Sequence, residues 1–471
     1  MDGVAEMAPG GPGRVVVLGA GLAGLSAADV LVSHGVRTVV VEKEAAPGGL
    51  AATCRVGGFH FDFGPHRFHT RNPAVLARVS ALLGGDLLQV ERLSRIRLLD
   101  RYFLYPLSLG DVLRRMPLRK GAAMMASYMA RRGRRLFGGL PDDSFETWVV
   151  NRFGRCLYDI YFGPYTAKLW GIPPSSLSPD WASQRITVPS LTGLVRETLF
   201  PRGEKGARSL VSTFHYPRGG IGRISEAFAA RVREGGGALM TSVEPLSISR
   251  GPGGFVVETT AGALEADGLI SSIPVTRLAE LAAPMLDERS REAAASLSYR
   301  SIVFVTLRLA KRPEPRDHWI YTPEDCYRFN RLSIPENFDP SVSESGGQVV
   351  FEFTCQEGDQ IWNGGEALAA ECVSGGERLG LFRTGEVMGH AVTRQAHAYP
   401  IYDRGYEVRS GILLEAFDAL PGIVTCGRQG LFRYNNMDHS IEMGEYAALE
   451  LLGIGTLRER FDWTRSTWAD G

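Results

Sequence analysis

The chain has 471 residues, of which 44% are hydrophobic and 22% charged, the balance of a globular protein with room for two or three domains. Its 52 basic and 52 acidic residues cancel, which argues against a protein that coats nucleic acid through bulk positive charge. No apolar run reaches the length of a membrane-spanning helix. The six cysteines, Cys54, Cys156, Cys326, Cys355, Cys372 and Cys426, are scattered without metal-ligand spacing, so no metal is expected and reduced, buried thiols in a cytoplasmic setting are.

Residues 1–13 are small, acidic and Gly/Pro-rich. They lack the basic and apolar regions of a signal peptide and read as a disordered tail. Residues 14–42 then run strand, glycine turn, helix, strand, acid. Val15–Leu18 is a short apolar run of the kind buried on both faces. Gly19, Gly21 and Gly24 follow at G-x-G-x-x-G spacing. The first permits a tight turn, the second lets the backbone approach a pyrophosphate, and the third lets helix and strand pack closely. Glu42 lies 18 residues after Gly24, where a ribose-binding acid belongs. The whole frame predicts a dinucleotide site with phosphates at the helix N-terminus. Spacing alone does not separate FAD from NAD.

Beyond Glu42, Phe59, Phe61 and Phe63 alternate as in a strand, and Gly64-Pro65 breaks it to present His66 and His69. Residues 74–160 read as mainly helical. Arg114, Arg115, Arg119, Lys120, Arg131, Arg132, Arg134 and Arg135 make that region basic. Its plain reading is a solvated helix face, with peripheral contact to a membrane or a partner as the alternative. Arg202–Arg208 is a candidate mobile loop. Residues 216–273 return to strand–helix alternation, 298–415 are strand-rich with SIVFVTLRL and QVVFEFT the clearest runs, and 421–452 read strand, glycine turn, helix.

Several of these stretches resemble known families. Pro47-Gly48-Gly49-Leu50 after the acid resembles two-dinucleotide-fold flavoproteins of the amine oxidase and protoporphyrinogen oxidase superfamily, which implies FAD. FGPHRFHT at 63–70, the segment 144–171 ending YTAKLWG, LSYRSIVFV at 297–305, AYPIYD at 398–403 and GRQGLFRYNNMD at 427–438 resemble, in order, motifs of the UDP-galactopyranose mutase family. That family exchanges a six-membered sugar ring for a five-membered one. Reduced flavin N5 attacks the anomeric carbon, and the nucleoside diphosphate departs and returns. Arginines suit the diphosphate because the guanidinium fork pairs two oxygens, and aromatic rings suit the base and sugar.

The resemblance implies an α/β, two-dinucleotide-binding FAD fold. Residues 14–75, 216–290 and 416–455 would form a discontinuous FAD domain, 76–215 a mainly helical insertion, and 291–415 a β-rich substrate domain, with 456–471 as a second tail. It implies catalytic roles for His66, His69, Arg300, Tyr399 and Tyr434. Cofactor contacts would come from Gly19, Gly21, Gly24, Glu42, Gly49, His66, Arg428 and Met437. A nucleotide-diphosphate sugar would meet Trp170, Arg185, Arg300, Arg331, Tyr399, Tyr434 and Asn436. A homodimer is compatible with it, and nucleic acid is not an expected partner. Asn436 stands where the family has an acid, YPLSL at 105–109 lacks the family's asparagine, and 186–218 runs on into YPRGGIGRISEAF at 216–228, which resembles protoporphyrinogen oxidase-type proteins. An FAD-dependent oxidoreductase acting on a small molecule is therefore the alternative reading.

Overall fold

The computed structural model describes residues 12–106, 115–138, 141–186, 213–343 and 345–455. Residues 1–11 of the first tail, the whole second tail, the stretch Arg202–Arg208, most of 186–218, Arg114 and the end of YPLSL lie outside the described residues.

The cofactor half is built on a five-stranded parallel sheet. Its order is Ile423–Thr425, Gly268–Ser271, Arg14–Leu18, Arg37–Val41, Ala238–Met240. Three widely separated stretches of chain thus meet in one sheet. The side-chain period of two divides the central strand between two cores. Val15 and Val17 pack with the helices Leu22–Ser33, Gly222–Glu234 and Met437–Leu451. Val16 and Leu18 pack with Ile248, Phe255 and Val257 from a three-stranded antiparallel sheet, Pro245–Gly251, Gly254–Thr259 and Gly262–Ala266.

A seven-stranded mixed sheet forms the second half. Its order is Val387–Pro400, Tyr299–Leu309, Gly347–Cys355, Arg331–Ser333, Trp319–Tyr321, Ser94–Leu98, Arg101–Leu104. The two clearest sequence runs are its antiparallel neighbours Tyr299–Leu309 and Gly347–Cys355. Val303, Val305 and Leu307 pack with Leu368 and Cys372 of the helix Gly365–Arg378. Ile302 and Phe304 turn the other way, onto Phe61 of the strand Phe59–Asp62.

The stretch 76–215, expected to be mainly helical, also carries three strands, Leu87–Glu91, Ser94–Leu98 and Arg101–Leu104. Ser94–Leu98 alternates buried and half-buried positions, a period-two signal hidden by its arginines. The helices Leu118–Phe137, Phe145–Phe153, Gly163–Trp170 and Pro179–Arg185 do come from this stretch. No helix of the described residues is long and apolar enough to cross a membrane.

Candidate active site

The glycine turn makes the first part of the site. Gly19 has φ of 94°, and a Cβ on Gly24 would stand 2.0 Å from the Gly19 carbonyl oxygen. Turn and helix therefore touch backbone to backbone. A Cβ on Gly21 would meet nothing within 4 Å, so the turn is open there. Gly21 is the N-cap of Leu22–Ser33, with no side-chain cap and no acid in the first turn, an end that favours an anion. Glu42 is 7% exposed. It accepts the Ala20 N–H at 2.7 Å and the Glu44 N–H at 3.0 Å, which fixes the carboxylate and leaves lone pairs for hydroxyl donors.

Two further segments close on this turn. The Gly48 N–H donates to the Ala20 carbonyl at 2.8 Å, which brings Gly49 (φ 54°) beside Gly21. The helix Met437–Leu451 crosses Leu22–Ser33 closely. A Cβ on Gly444 would be 2.0 Å from the Ala23 carbonyl oxygen, and Ser26 Oγ donates to the Ile441 carbonyl at 2.8 Å. Met437, the first residue of that helix, is partly buried against the same core. The open glycine, the fixed acid and the uncapped helix end fit a dinucleotide.

The second part gathers around His66. Its ring Nδ1 is buried and has no hydrogen-bond partner among the described residues. Burial, with the charges of Arg428 and Arg331, pushes the imidazole down to about 3, so the ring is neutral near pH 7. Arg331 is held in a buried ion pair. Its Nη2 and Nε meet Glu352 Oε2 at 2.6 and 3.2 Å, and Asn330 Nδ2 donates to Glu352 Oε1 at 3.0 Å. The loop carrying His66 rests on this pair, since a Cβ on Gly64 would lie 3.2 Å from Glu352 Oε2. Arg331 therefore does not offer a bare charge to a ligand. Glu352 was not singled out in the sequence, although an acid inside the apolar run QVVFEFT was the signal.

Aromatic rings form the third part. Tyr399 stacks on Tyr434 with centroids 5.5 Å apart, Trp181 meets Tyr434 at 5.0 Å, and Trp170 meets Trp181 at 4.8 Å and Tyr399 at 6.1 Å. The Arg428 guanidinium lies 4.5 Å from the Tyr434 ring centroid and donates from Nη2 to the Asn435 carbonyl at 2.5 Å. Burial and the Glu352 charge raise the Tyr399 phenol, which keeps it a hydrogen-bond donor.

Arg300 closes this group. It pairs in register with Tyr399 and is 7% exposed. Its Nε donates to the Leu169 carbonyl at 3.1 Å and its Nη2 to the Thr354 carbonyl at 3.2 Å. The helix Gly163–Trp170 ends at Gly171 in the left-handed region, φ 67°, where a Cβ would stand 2.6 Å from the Arg300 Cζ. Only glycine admits the guanidinium there. Among the described residues no carboxylate lies within ion-pair distance of Arg300, and burial lowers its pKa. A buried cation without a counter-charge costs several kcal/mol, a cost that an anionic ligand would offset.

Three expected residues have surroundings other than the sequence suggested, and the side chain of a fourth is not described. Trp170 does not present an open face to a base. It is 1% exposed and packed by Trp181, and its Nε1 is buried without a partner among the described residues. Trp181 was missed because nothing local marks it. His69 does not share the surroundings of His66: the charges acting on it are Arg67, Asp438, Arg71 and His215. Asn436 is the N-cap of Met437–Leu451, its N–H facing His439 Nδ1 at 3.4 Å, so a capping residue stands where the family has an acid. Arg185 is the last residue of its helix, and its side chain lies outside the described residues.

Together these features define a two-part flavoprotein architecture, a dinucleotide fold facing a mixed sheet. Residues 22–363 match the family of flavin-containing amine oxidoreductases, and the chain belongs to that family, which implies a flavin cofactor. Among solved structures it is similar to reduced UDP-galactopyranose mutase (TM-score 0.83, 22% identity, 97% of each chain). It is also similar to cyclohexylamine oxidase from Brevibacterium oxydans IH-35A (TM-score 0.66, 14% identity, 94% of this chain and 99% of that one). In sequence it is 43% identical to phytoene dehydrogenase of Streptomyces griseus over 19% of this chain and 17% of that protein. It is 25% identical to mitochondrial protoporphyrinogen oxidase of Nicotiana tabacum over 60% of each. The chain thus spans less than two thirds of the length of these curated relatives.

Proposed function

We propose that the chain is an FAD-dependent enzyme that interchanges the six- and five-membered ring forms of a nucleoside-diphosphate sugar, with FAD in its reduced state. The observation that carries this reading is Arg300, a buried guanidinium with no carboxylate partner among the described residues, set between the Trp170–Gly171 helix end and the Tyr399–Tyr434 stack. Bidentate pairing with a diphosphate supplies the missing counter-charge. The resemblance to UDP-galactopyranose mutases along the chain supports the ring exchange. The six free cysteines fit a reducing cytoplasmic setting.

When bound, reduced FAD supplies the electron pair that meets the anomeric carbon. The chain's own residues divide the remaining work. Gly21, the helix end behind it and Glu42 hold the dinucleotide. Arg300 takes up negative charge on the leaving diphosphate, and Tyr399 and Tyr434 donate hydrogen bonds to it. Arg428, held over Tyr434, sets positive charge beside His66. The neutral His66 ring orients rather than charges its neighbourhood.

The second reading is a net oxidation of a small molecule. The neutralised Arg331 favours it, since one fewer free cation is left for a diphosphate. So do the oxidising relatives. The test is anaerobic incubation of dithionite-reduced protein with a panel of nucleotide sugars, followed by chromatography of the products. The mutase reading expects ring isomers with no reductant consumed. No isomer from any sugar, together with stoichiometric oxygen consumption on an amine or polycyclic substrate in a separate aerobic assay, overturns it.

A further inference from the structure

A second cationic group lies apart from Arg300 and is used by none of the roles above. The strand Trp319–Tyr321 places Trp319 and Tyr321 on one face, two residues apart. The Arg67 and Arg92 guanidinium carbons lie 5.5 and 6.0 Å from the Trp319 ring centroid. Arg92 also lies 5.7 Å from the Tyr105 ring and donates from Nη2 to the Tyr105 carbonyl at 2.8 Å. Two like charges thus share one indole.

The surroundings supply donors and no counter-charge for Arg92. Among the described residues Arg92 has no carboxylate within ion-pair distance. Burial, and then the charge of Arg67, lower its pKa to about 10. Trp319 is 3% exposed, and its Nε1–H is buried with no acceptor among the described residues. A buried donor left unpaired costs about 1–3 kcal/mol. A neutral or cationic ligand would leave both defects in place. An oxyanion repairs both, because it brings negative charge and only acceptor atoms.

We infer that Arg92, Arg67 and the Trp319 indole form a second oxyanion site, which takes a carboxylate or phosphate group. Its rim is aromatic: the Tyr105 and Tyr321 rings are 4.6 Å apart, and Tyr321 lies 5.9 Å from the Arg331 guanidinium. A flat or apolar body attached to the anion would lie along these rings toward the His66 loop. The site does not depend on the nucleotide-sugar reading, since Arg300 is no part of it.

The test uses flavin-loaded protein carrying Arg300→Met, which silences the first anion position, with inorganic phosphate titrated by calorimetry. Phosphate should still bind. Adding Arg92→Met should weaken it at least tenfold, and adding Trp319→Phe, which keeps the ring and removes the N–H, at least threefold. In phosphate-free buffer Arg92→Met should melt higher than its parent, because an uncompensated charge is gone. Complete loss of phosphate binding in Arg300→Met alone overturns the inference, as does equal affinity with and without Arg92→Met. Should Arg92→Met fail to fold, an unchanged affinity in Trp319→Phe overturns it equally.

Discussion

Replacing Glu352 by Gln is the sharpest test of how the His66 loop is supported. The carboxylate receives Arg331 Nη2 at 2.6 Å, Arg331 Nε at 3.2 Å and Asn330 Nδ2 at 3.0 Å, and its side chain is 3% exposed. Two opposite charges about 4 Å apart attract by roughly 4 kcal/mol at an effective dielectric of about 20. Removing one partner leaves the Arg331 cation buried beside Arg428 and His66, and such a loss costs about 3–5 kcal/mol. Arg331→Met should cost a similar amount by stranding the carboxylate. The double variant Arg331→Met/Glu352→Met strands nothing and should lie within about 2 kcal/mol of the parent. Urea denaturation of the flavin-loaded proteins measures the cycle, with the coupling read as the departure from additivity. Single variants that each cost less than about 1 kcal/mol, or a double variant that costs their sum, refute the reasoning. A second readout follows from the same geometry. Glu352→Gln unmasks the Arg331 charge and should tighten nucleoside-diphosphate binding, while unchanged binding would place Arg331 outside the ligand's reach.

Arg300→Met should weaken nucleoside-diphosphate binding at least about tenfold, from the loss of charge-assisted hydrogen bonds worth about 1.5–3 kcal/mol, and leave the flavin bound. Equilibrium dialysis with flavin absorbance separates the two, and loss of the flavin would contradict the placement. His66 takes up a proton in the unfolded chain below about pH 6.5 but in the folded chain only near 3. The unfolded state binds more protons across that window, so stability falls as pH drops through it, by at most about 1.4 kcal/mol per unit. His66→Gln should flatten this part of the pH dependence, and parallel denaturation curves for the two proteins from about pH 4 to 7 would contradict it. Gly24→Ala forces a Cβ to within 2.0 Å of the Gly19 carbonyl oxygen. It should cost about 1–3 kcal/mol or more and lower the flavin-to-protein absorbance ratio, whereas full flavin content would show that the turn can yield.

How much of this was legible in the sequence depends on how local each feature is. The glycine turn and Glu42 are set by spacing within one strand–helix–strand unit, and the turn can be read off directly. Tyr299–Leu309 and Gly347–Cys355 are long apolar runs and also show themselves. Leu87–Glu91 and Ser94–Leu98 did not, because short strands rich in arginine, glutamate and glutamine carry a weak alternation. Around the site the hidden part is partnership. Arg331 and Arg300 look alike in sequence, yet one faces Glu352 across a strand pair and the other faces only carbonyl oxygens. That difference is created by register, which no single segment encodes. Trp170 was read as a ligand contact because its motif suggested one. Trp181, eleven residues on, covers it through a helix–helix approach that only the fold brings about.

The central sheet draws its strands from residues 14–41, 238–271 and 423–425, and the glycine turn closes against Gly444 and Ile441. Synthesis runs in one direction, so the most recognisable motif of the chain is made well before the helix that backs it. Throughout elongation the Gly19–Gly24 turn exists as sequence without the helix that backs it. The cofactor cradle is completed only when Met437–Leu451 folds onto Leu22–Ser33, and a captured flavin therefore reports a chain made and folded at least as far as that helix.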